Sequence, residues 1–385
     1  MVKRREEKTK ANYSSPMNSI WELETFYRRR DVIIIGAGFT GLWTAISIKE
    51  KHPDLSVLII ERNPIPLGAS TRNAGFACFG SLTEIIADQG KMGWDKTLEL
   101  IKMRFEGLLK IQKYFKNSEI DFDLNGGFEI LNNESPLENM EEVNEKMKLI
   151  TGISATYSLQ QDKIKAFGLG KSDFLIENPY EGSLHSGKLL QKLLEKCQDM
   201  KVEFLFGTPV TDVIEENTGM EVRLSEDLSV HAEQVIHCTN AFSSQFLENE
   251  EIIPARGQIL VTEPVQNLKL KGTFHYDEGF YYFRNVGNRV LLGGGRNQDF
   301  KTEETRNFQT TEFLQNHLEN FLKEVILPDH DFKIDLRWSG IMAMGSEKTP
   351  IVKQVSERQF CAVRLSGMGV ALAPKIGEII ADKIN

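Results

Sequence analysis

Cysteine is scarce in this 385-residue chain: Cys78, Cys197, Cys238 and Cys361 stand far apart, with no CxxC pair and no histidine at metal-ligand spacing. That argues against a disulfide framework and against a zinc site, and a reducing cytoplasm is the expected compartment. Long apolar runs are missing too. The most apolar window, Val32 to Ile48, holds three glycines, two threonines and a serine and is short for a bilayer crossing, so no membrane span is expected. Met1 to Asn12 is polar and lacks an apolar core, so no secretory signal is expected there. Its basic residues Lys3, Arg4, Arg5, Lys8 and Lys10 are interrupted by Glu6 and Glu7 and read as a solvated tail rather than a targeting arm. Positive charge is not in excess. Forty-six Lys and Arg face 55 Asp and Glu, a formal charge of −9, so neither nucleic acid nor an anionic lipid surface is an expected partner. No Ser-His-Asp set or HExxH stretch supports hydrolysis, and no internal repeat is visible.

What is present begins after a 30-residue preamble. Val32 to Ile35 is a β-branched apolar run, read as a buried parallel strand. Gly36-Ala37-Gly38-Phe39-Thr40-Gly41 follows, then Leu42, Ala45, Ile46 and Ile48 at helical spacing up to His52-Pro53. A second run, Val57 to Ile60, ends in Glu61, twenty residues beyond Gly41. A lone GxGxxG is weak evidence, but strand, glycine loop, helix, strand and acid in this order form a dinucleotide-binding βαβ unit. Gly36 permits the tight turn, Gly38 lets backbone N–H groups approach a pyrophosphate, and Gly41 lets the helix pack on the strand. Glu61 is placed to accept both ribose hydroxyls, which disfavours a 2′-phosphate and hence NADP. The competing reading is a doubly wound domain with an empty crevice.

Downstream, Leu189, Leu190, Leu193, Leu194 and Cys197 mark an amphipathic helix, followed by strand candidates at Val202 to Phe206, Thr211 to Glu215, Met220 to Leu224 and Gln234 to Cys238. Between them lie a helical Leu98 to Phe115, a strand-like Gly127 to Leu131 and a charged helix near Glu141 to Lys148. A β-rich block spans Ile259 to Gly293, and an amphipathic helix carries Phe313, Leu314, Leu318, Phe321, Leu322 and Val325. A last glycine stretch, Leu365-Ser366-Gly367-Met368-Gly369-Val370-Ala371, leads into a helix with Ile376, Ile379, Ile380 and Ile384. Its N-terminus offers free N–H groups to a site of developing negative charge.

After Glu61-Arg62-Asn63 the chain runs through Gly68-Ala69-Ser70-Thr71-Arg72-Asn73-Ala74-Gly75. Here it resembles the D-amino-acid-oxidase-like superfamily of FAD-dependent amine oxidoreductases, which carries a similar G-A-S-x-R-N-x-G stretch. Lys188 to Leu190 and Gly207 to Val210 look like that family's helix and adenine-side strand. His237-Cys238-Thr239-Asn240-Ala241 is similar to its alanine-threonine-glycine-like motif, and Trp338-Ser339-Gly340 opens its closing segment. The resemblance implies an α/β fold: a Rossmann-like FAD-binding domain of GR2 type interleaved with an α+β substrate domain on a mostly antiparallel sheet. The expected divisions are an N-terminal extension at 1–30, the FAD-binding domain at 31–84, 171–250 and 338–385, and the substrate domain at 85–170 and 251–337. It also implies non-covalent FAD held by Gly36, Gly38, Phe39, Thr40, Gly41, Glu61, Arg62, Ala69, Ser70, Thr71, Arg72, Asn73, Ala74, Gly75, Val210, Thr239, Asn240, Gly340, Gly367, Met368, Gly369, Val370 and Ala371. Covalent attachment at Cys78 is the alternative.

The implied reaction is oxidation of a small primary or secondary amine, with oxygen or another electron acceptor, most like the γ-glutamylputrescine-oxidase branch. Glycine-oxidase relatives hold the substrate carboxylate with arginines where this chain has Met342 and Gly367. Sarcosine oxidases place an oxygen-activating lysine where Leu291 lies and a flavin-tethering cysteine near Met342 to Gly345, where this chain has none. Tyr281, Tyr282 and Arg284 are the candidates for the substrate cavity, although the aromatic run equally suits a half-buried strand. Arg256 lines the same cavity or pairs with Glu263, the second being favoured; Trp338 is expected at the domain junction, and His275, alone among the seven histidines in lying beside the candidate cavity residues, is expected in a solvated loop. A 2-hydroxyacid or polyol dehydrogenase on the same scaffold, and a flavin-containing binding protein without turnover, are the other readings.

Overall fold

A computed structural model of the chain describes residues 18–247 and 250–384; the basic tail expected at Lys3 to Lys10 lies outside them. The glycine-loop unit forms as its sequence dictates. Arg30–Ile35 pairs in parallel with Val57–Ile60 on one side and Leu228–His237 on the other. Gln359–Val363 and Glu203–Leu205 extend the parallel sheet at its two ends, and Ile351–Gln354 closes one edge antiparallel. Strands covered on both faces read as continuous apolar runs, and Val32 to Ile34 and Val57 to Ile60 are at most 1% exposed. Each such side chain contributes about 1.5–3 kcal/mol by leaving water.

Helix Phe39–Lys51 and the last helix, Gly369–Ala381, pack together beneath this sheet. Gly377 sets their separation, since a Cβ there would stand 2.6 Å from the Trp43 carbonyl oxygen. The helical stretch read from Leu98 starts earlier, at Leu82, and runs to Tyr114 with a break at Gly93 (φ 80°). That break is what lets Glu84 and Arg104 meet at 3.0 Å. In a straight helix, twenty residues at about 1.5 Å each would separate them by ~30 Å.

The second sheet has the order Ile334–Met344, Ile253–Thr262, Arg289–Gly294, Tyr281–Val286, Thr273–Tyr276, Gly127–Leu131, Phe174–Asn178, Ser158–Leu159. Every pairing is antiparallel except Thr273–Tyr276 with Gly127–Leu131. Two layers, one built on a parallel core with antiparallel edge strands and one mostly antiparallel, are the architecture expected from the sequence. Two strands differ in placement: Phe174–Asn178, assigned to the nucleotide-binding part, pairs with Gly127–Leu131, and the whole of Ile334–Met344 pairs with Ile253–Thr262. Neither strand carries a mark of its partner in its own residues, so pairing decided both.

The two layers are tied by polar contacts between their loops. Trp338 Nε1 donates to the Arg72 carbonyl at 3.0 Å, and Arg72 Nη1 donates to the Ser339 carbonyl at 3.0 Å, which puts Trp338 at the junction as expected. Arg256 pairs with Glu303, not with Glu263: Nε to Oε2 is 2.8 Å and both side chains are buried. A residue 47 positions away displaced the near neighbour because an internal guanidinium needs an internal counter-ion.

Candidate active site

A cavity of about 860 Å³ runs from the glycine loop past the residue 68–76 loop to the Leu365 to Ala371 turn and opens into a chamber against the antiparallel sheet. This is within the size range of cofactor and ligand sites. At one end Gly36 holds φ +105°, and a Cβ there would meet the Cys238 carbonyl oxygen at 2.8 Å. Gly41 allows no Cβ at all, with the Gly36 oxygen 1.9 Å from where it would sit. Ser70 Oγ accepts from the Phe39 N–H at 2.9 Å and so caps the helix start beside Gly38. Glu61 is buried at the end of its strand: Oε2 accepts from the Ala37 N–H at 3.1 Å and Oε1 from the Asn63 N–H at 3.0 Å.

Asn73 fixes the small-residue loop, donating to the Ser70 carbonyl and accepting from the Gly75 N–H and the Ser186 hydroxyl. Across the cavity, Gly367 sits at φ +85° ahead of the last helix, whose first N–H groups face the opening. Of the expected cofactor residues, all but Gly41, Thr71 and Gly75 line the cavity. Those three act behind it: Gly41 in helix packing, Thr71 through its hydroxyl to the Pro66 carbonyl, and Gly75 as an acceptor for Arg284.

The three substrate-side candidates separate. Tyr282 lines the chamber; Tyr281 and Arg284 do not. Side chains alternate across a strand, so the neighbouring tyrosines must face opposite ways. Tyr281 enters the core, stacked on Phe321 with ring centroids 4.8 Å apart and its hydroxyl 2.7 Å from His317 Nε2. Tyr282 has room on the other face because Gly293 lies opposite it, where a Cβ would stand 2.4 Å from the ring. Arg284 Nη1 donates to the Gly75 and Leu184 carbonyls at 2.8 and 2.9 Å and fastens the small-residue loop; burial brings its pKa down to about 10.

Several chamber residues carried no clear signal in the sequence. His275, expected in a solvated loop, lies within Thr273–Tyr276, is 7% exposed and lines the chamber. It faces Tyr282 in strand register, and Phe76 packs edge-on against both rings. Burial pushes its pKa down to about 4. Glu84, Asp88, Arg104 and Lys348 form a connected cluster, with Arg104 to Glu84 at 3.0 Å and Lys348 to Glu84 and Asp88 at 3.2 and 2.9 Å. Burial would raise the Glu84 pKa, but Arg104 and Lys348 override it and hold the carboxyl well below its usual range. The Ser81-x-x-Glu84 capping box was the one sequence signal for this cluster.

Cys78 accepts from Arg104 at 3.6 Å; burial pushes its thiol up to about 12, so it is not a thiolate ready for covalent attachment. Met342 lines the wall, and a Cβ on Gly367 would lie 3.4 Å from its sulfur, so no arginine clamps a carboxylate there. Leu291 is buried with Ile259 and Val261 behind Tyr282 and Trp338. Among the described residues no helix is long and apolar enough to cross a membrane.

Comparison with known proteins accords with this geometry. The family model described as DAO, FAD dependent oxidoreductase, matches residues 31–383. A probable oxidoreductase OrdL of Haemophilus influenzae is 27% identical over 92% of this chain and 82% of its own. A gamma-glutamylputrescine oxidoreductase of Escherichia coli is 26% identical over 97% and 87%. Among solved structures, L-proline dehydrogenase from P. horikoshii superposes with a TM-score of 0.77 at 16% identity, covering 93% and 94% of the two chains, a likeness of fold. The residues present fit FAD. Two buried polar atoms without partners, Asn240 Oδ1 and Ser366 Oγ, sit on the cavity wall, and the Gly36 and Gly367 turns leave the space that side chains would fill.

Proposed function

The chain belongs to the DAO family of FAD-dependent oxidoreductases, and we propose that within it this protein oxidises a small primary or secondary amine to an imine, which water then hydrolyses. FAD, when bound, would supply the two-electron oxidant for the carbon next to nitrogen. The rest is the work of the chain. Gly38 and the helix behind it would hold the diphosphate, Glu61 the ribose, and the N–H groups of Gly369 to Ala371 would stabilise charge gained by the ring. Phe76, Tyr282 and Met342 wall the chamber and keep water from the reacting carbon.

The observation that carries the amine reading is the charge balance of the chamber. Glu84 and Asp88, two buried carboxylates of the chamber wall, are matched by Arg104 and Lys348 in one hydrogen-bonded set, so neither is left free to keep an ammonium charged. Nitrogen bound there is bound with its lone pair free, as loss of hydride requires. The likeness to the gamma-glutamylputrescine oxidoreductase supports the same reading.

Arg296 favours a second one. It lines the chamber beside Tyr282, rests over the Phe300 ring at 4.8 Å and forms no ion pair among the described residues, which suits the carboxylate of a 2-hydroxy acid. The deciding experiment follows anaerobic loss of the visible flavin band against polyamines, γ-glutamyl amines, N-methyl amino acids and 2-hydroxy acids. Bleaching by amines and not by hydroxy acids is the expected result. The reverse pattern overturns it.

A further inference from the structure

His275 is the one histidine among the described residues whose two ring nitrogens are both buried and both without a hydrogen-bond partner. A buried polar group left unpaired forfeits its hydration without a replacement bond, and folded chains rarely tolerate it. Among the described residues none relieves it. Phe76 covers one side edge-on at 5.2 Å, and Gly279, where a Cβ would stand 3.8 Å from Nδ1, leaves the ring without a side chain on that side. The charged groups around it, Glu84, Arg104 and Lys348, are engaged with one another. The remaining direction is the chamber, which His275 lines next to Tyr282.

Resting on the amine reading above, we propose that His275 accepts a hydrogen bond from the N–H of the substrate's reacting nitrogen, and so restricts the enzyme to amines that carry at least one N–H. A neutral imidazole has one N–H and one lone pair, and the lone pair is what an uncharged amine's N–H needs. As the C–H electron pair leaves for the flavin, the nitrogen lone pair closes the C=N bond and positive charge grows on nitrogen. The N–H becomes more acidic, and its bond to His275 strengthens in the transition state, where it raises the rate rather than only the affinity. The proton stays on the iminium, shared with the ring, and is lost to water with hydrolysis. A tertiary amine has no N–H to offer and gains nothing from the histidine.

The test compares anaerobic flavin reduction by matched secondary and tertiary amines, the N-methyl and N,N-dimethyl forms of the best amine from the substrate screen. It uses the FAD-loaded parent, His275→Phe and His275→Asn. In the parent the N-methyl form should reduce the flavin roughly tenfold to a hundredfold faster than the N,N-dimethyl form, a hydrogen bond to a developing charge contributing about 1.5–3 kcal/mol. His275→Phe should lose that preference by slowing the N-methyl form alone, and His275→Asn, whose side-chain oxygen accepts, should restore much of it. A merely structural role slows both amines alike in the Phe variant. An unchanged ratio in that variant, with flavin retained, overturns the assignment while leaving amine oxidation standing. Failure of every amine to bleach the parent removes the amine reading itself, and this assignment with it.

Discussion

Replacing Arg256 by methionine should unfold this protein far more easily than a conservative change of size would suggest. Its guanidinium donates to both oxygens of Glu303, at 2.8 and 2.5 Å, and to the Gln309 carbonyl at 2.7 Å, with the Arg and Glu side chains 5% and 0% exposed. Methionine fills the volume but leaves a buried carboxylate with only the Gln258 amide, 2.9 Å away. Removing one partner of a buried pair costs about 3–5 kcal/mol, whereas removing both charges is often close to neutral. Arg256→Met should therefore lose about 3–5 kcal/mol, and Arg256→Met with Glu303→Gln should recover most of it, because glutamine is uncharged and keeps an acceptor for Gln258. Urea unfolding of the FAD-loaded protein, followed by tryptophan fluorescence at constant m, measures both. The pair also fixes the turn Phe300–Glu303, whose neighbours Arg296, Phe300 and Glu304 line the chamber. Substrate affinity should accordingly fall in the single variant while FAD stays bound. A single-variant loss under about 1 kcal/mol, or a double variant as unstable as the single one, refutes the reasoning.

Three more outcomes follow from the same structure. Glu61→Ala removes a buried ionic acceptor from the ribose end and should weaken FAD roughly tenfold to a hundredfold, read by quenching of flavin fluorescence as FAD is added to the apoprotein. Tyr281→Phe should cost about 1 kcal/mol of stability through the lost His317 contact and leave turnover unchanged, while Tyr282→Ala should change kcat/KM with little effect on FAD retention; equal effects on turnover would contradict the assignment of their faces. His237 is fully buried, and burial drives its pKa from the ordinary 6.5 down to about 4. The unfolded chain therefore binds the extra proton first, so this residue's contribution is complete above pH 6.5 and is lost as pH falls toward 4, a loss of about 3 kcal/mol. Burial raises Glu181 to about 7, which acts in the opposite sense, so the measurement is the difference between the parent and His237→Gln in urea unfolding at pH 7 and pH 4.5.

The glycine-loop half of the site was legible because its demands fall on single residues: positive φ at Gly36, no room for a Cβ at Gly41, a carboxylate ending the second strand at Glu61. The chamber was not, because its residues meet only through pairings made far along the chain. His275 is buried because its strand pairs with Gly127–Leu131, 146 positions earlier at the His275–Glu129 register. Glu84 reaches Arg104 only because the helix breaks at Gly93, a glycine with nothing local to mark it as a hinge. In Phe280-Tyr281-Tyr282-Phe283 every residue is aromatic, so the run lacks the apolar-polar alternation that would reveal which tyrosine faces the core.

One rank of side chains across the antiparallel sheet brings these pieces together. By register, His275 stands beside Tyr282, Tyr282 beside Gly293, Gly293 beside Ile259, and Ile259 beside Trp338. A one-residue slip of Tyr281–Val286 against its neighbours would turn Tyr281 toward the chamber and Tyr282 toward the core. The slip is opposed from both sides: Phe283 on the core face is wholly buried with Phe274 stacked on it at 4.8 Å, and on the chamber face only a glycine at 293 leaves space for the Tyr282 ring. The packing that stabilises the sheet thus also selects the side chains shown to substrate. Along that row His275 and Tyr282 line the chamber, while Ile259 is buried in the cluster behind them.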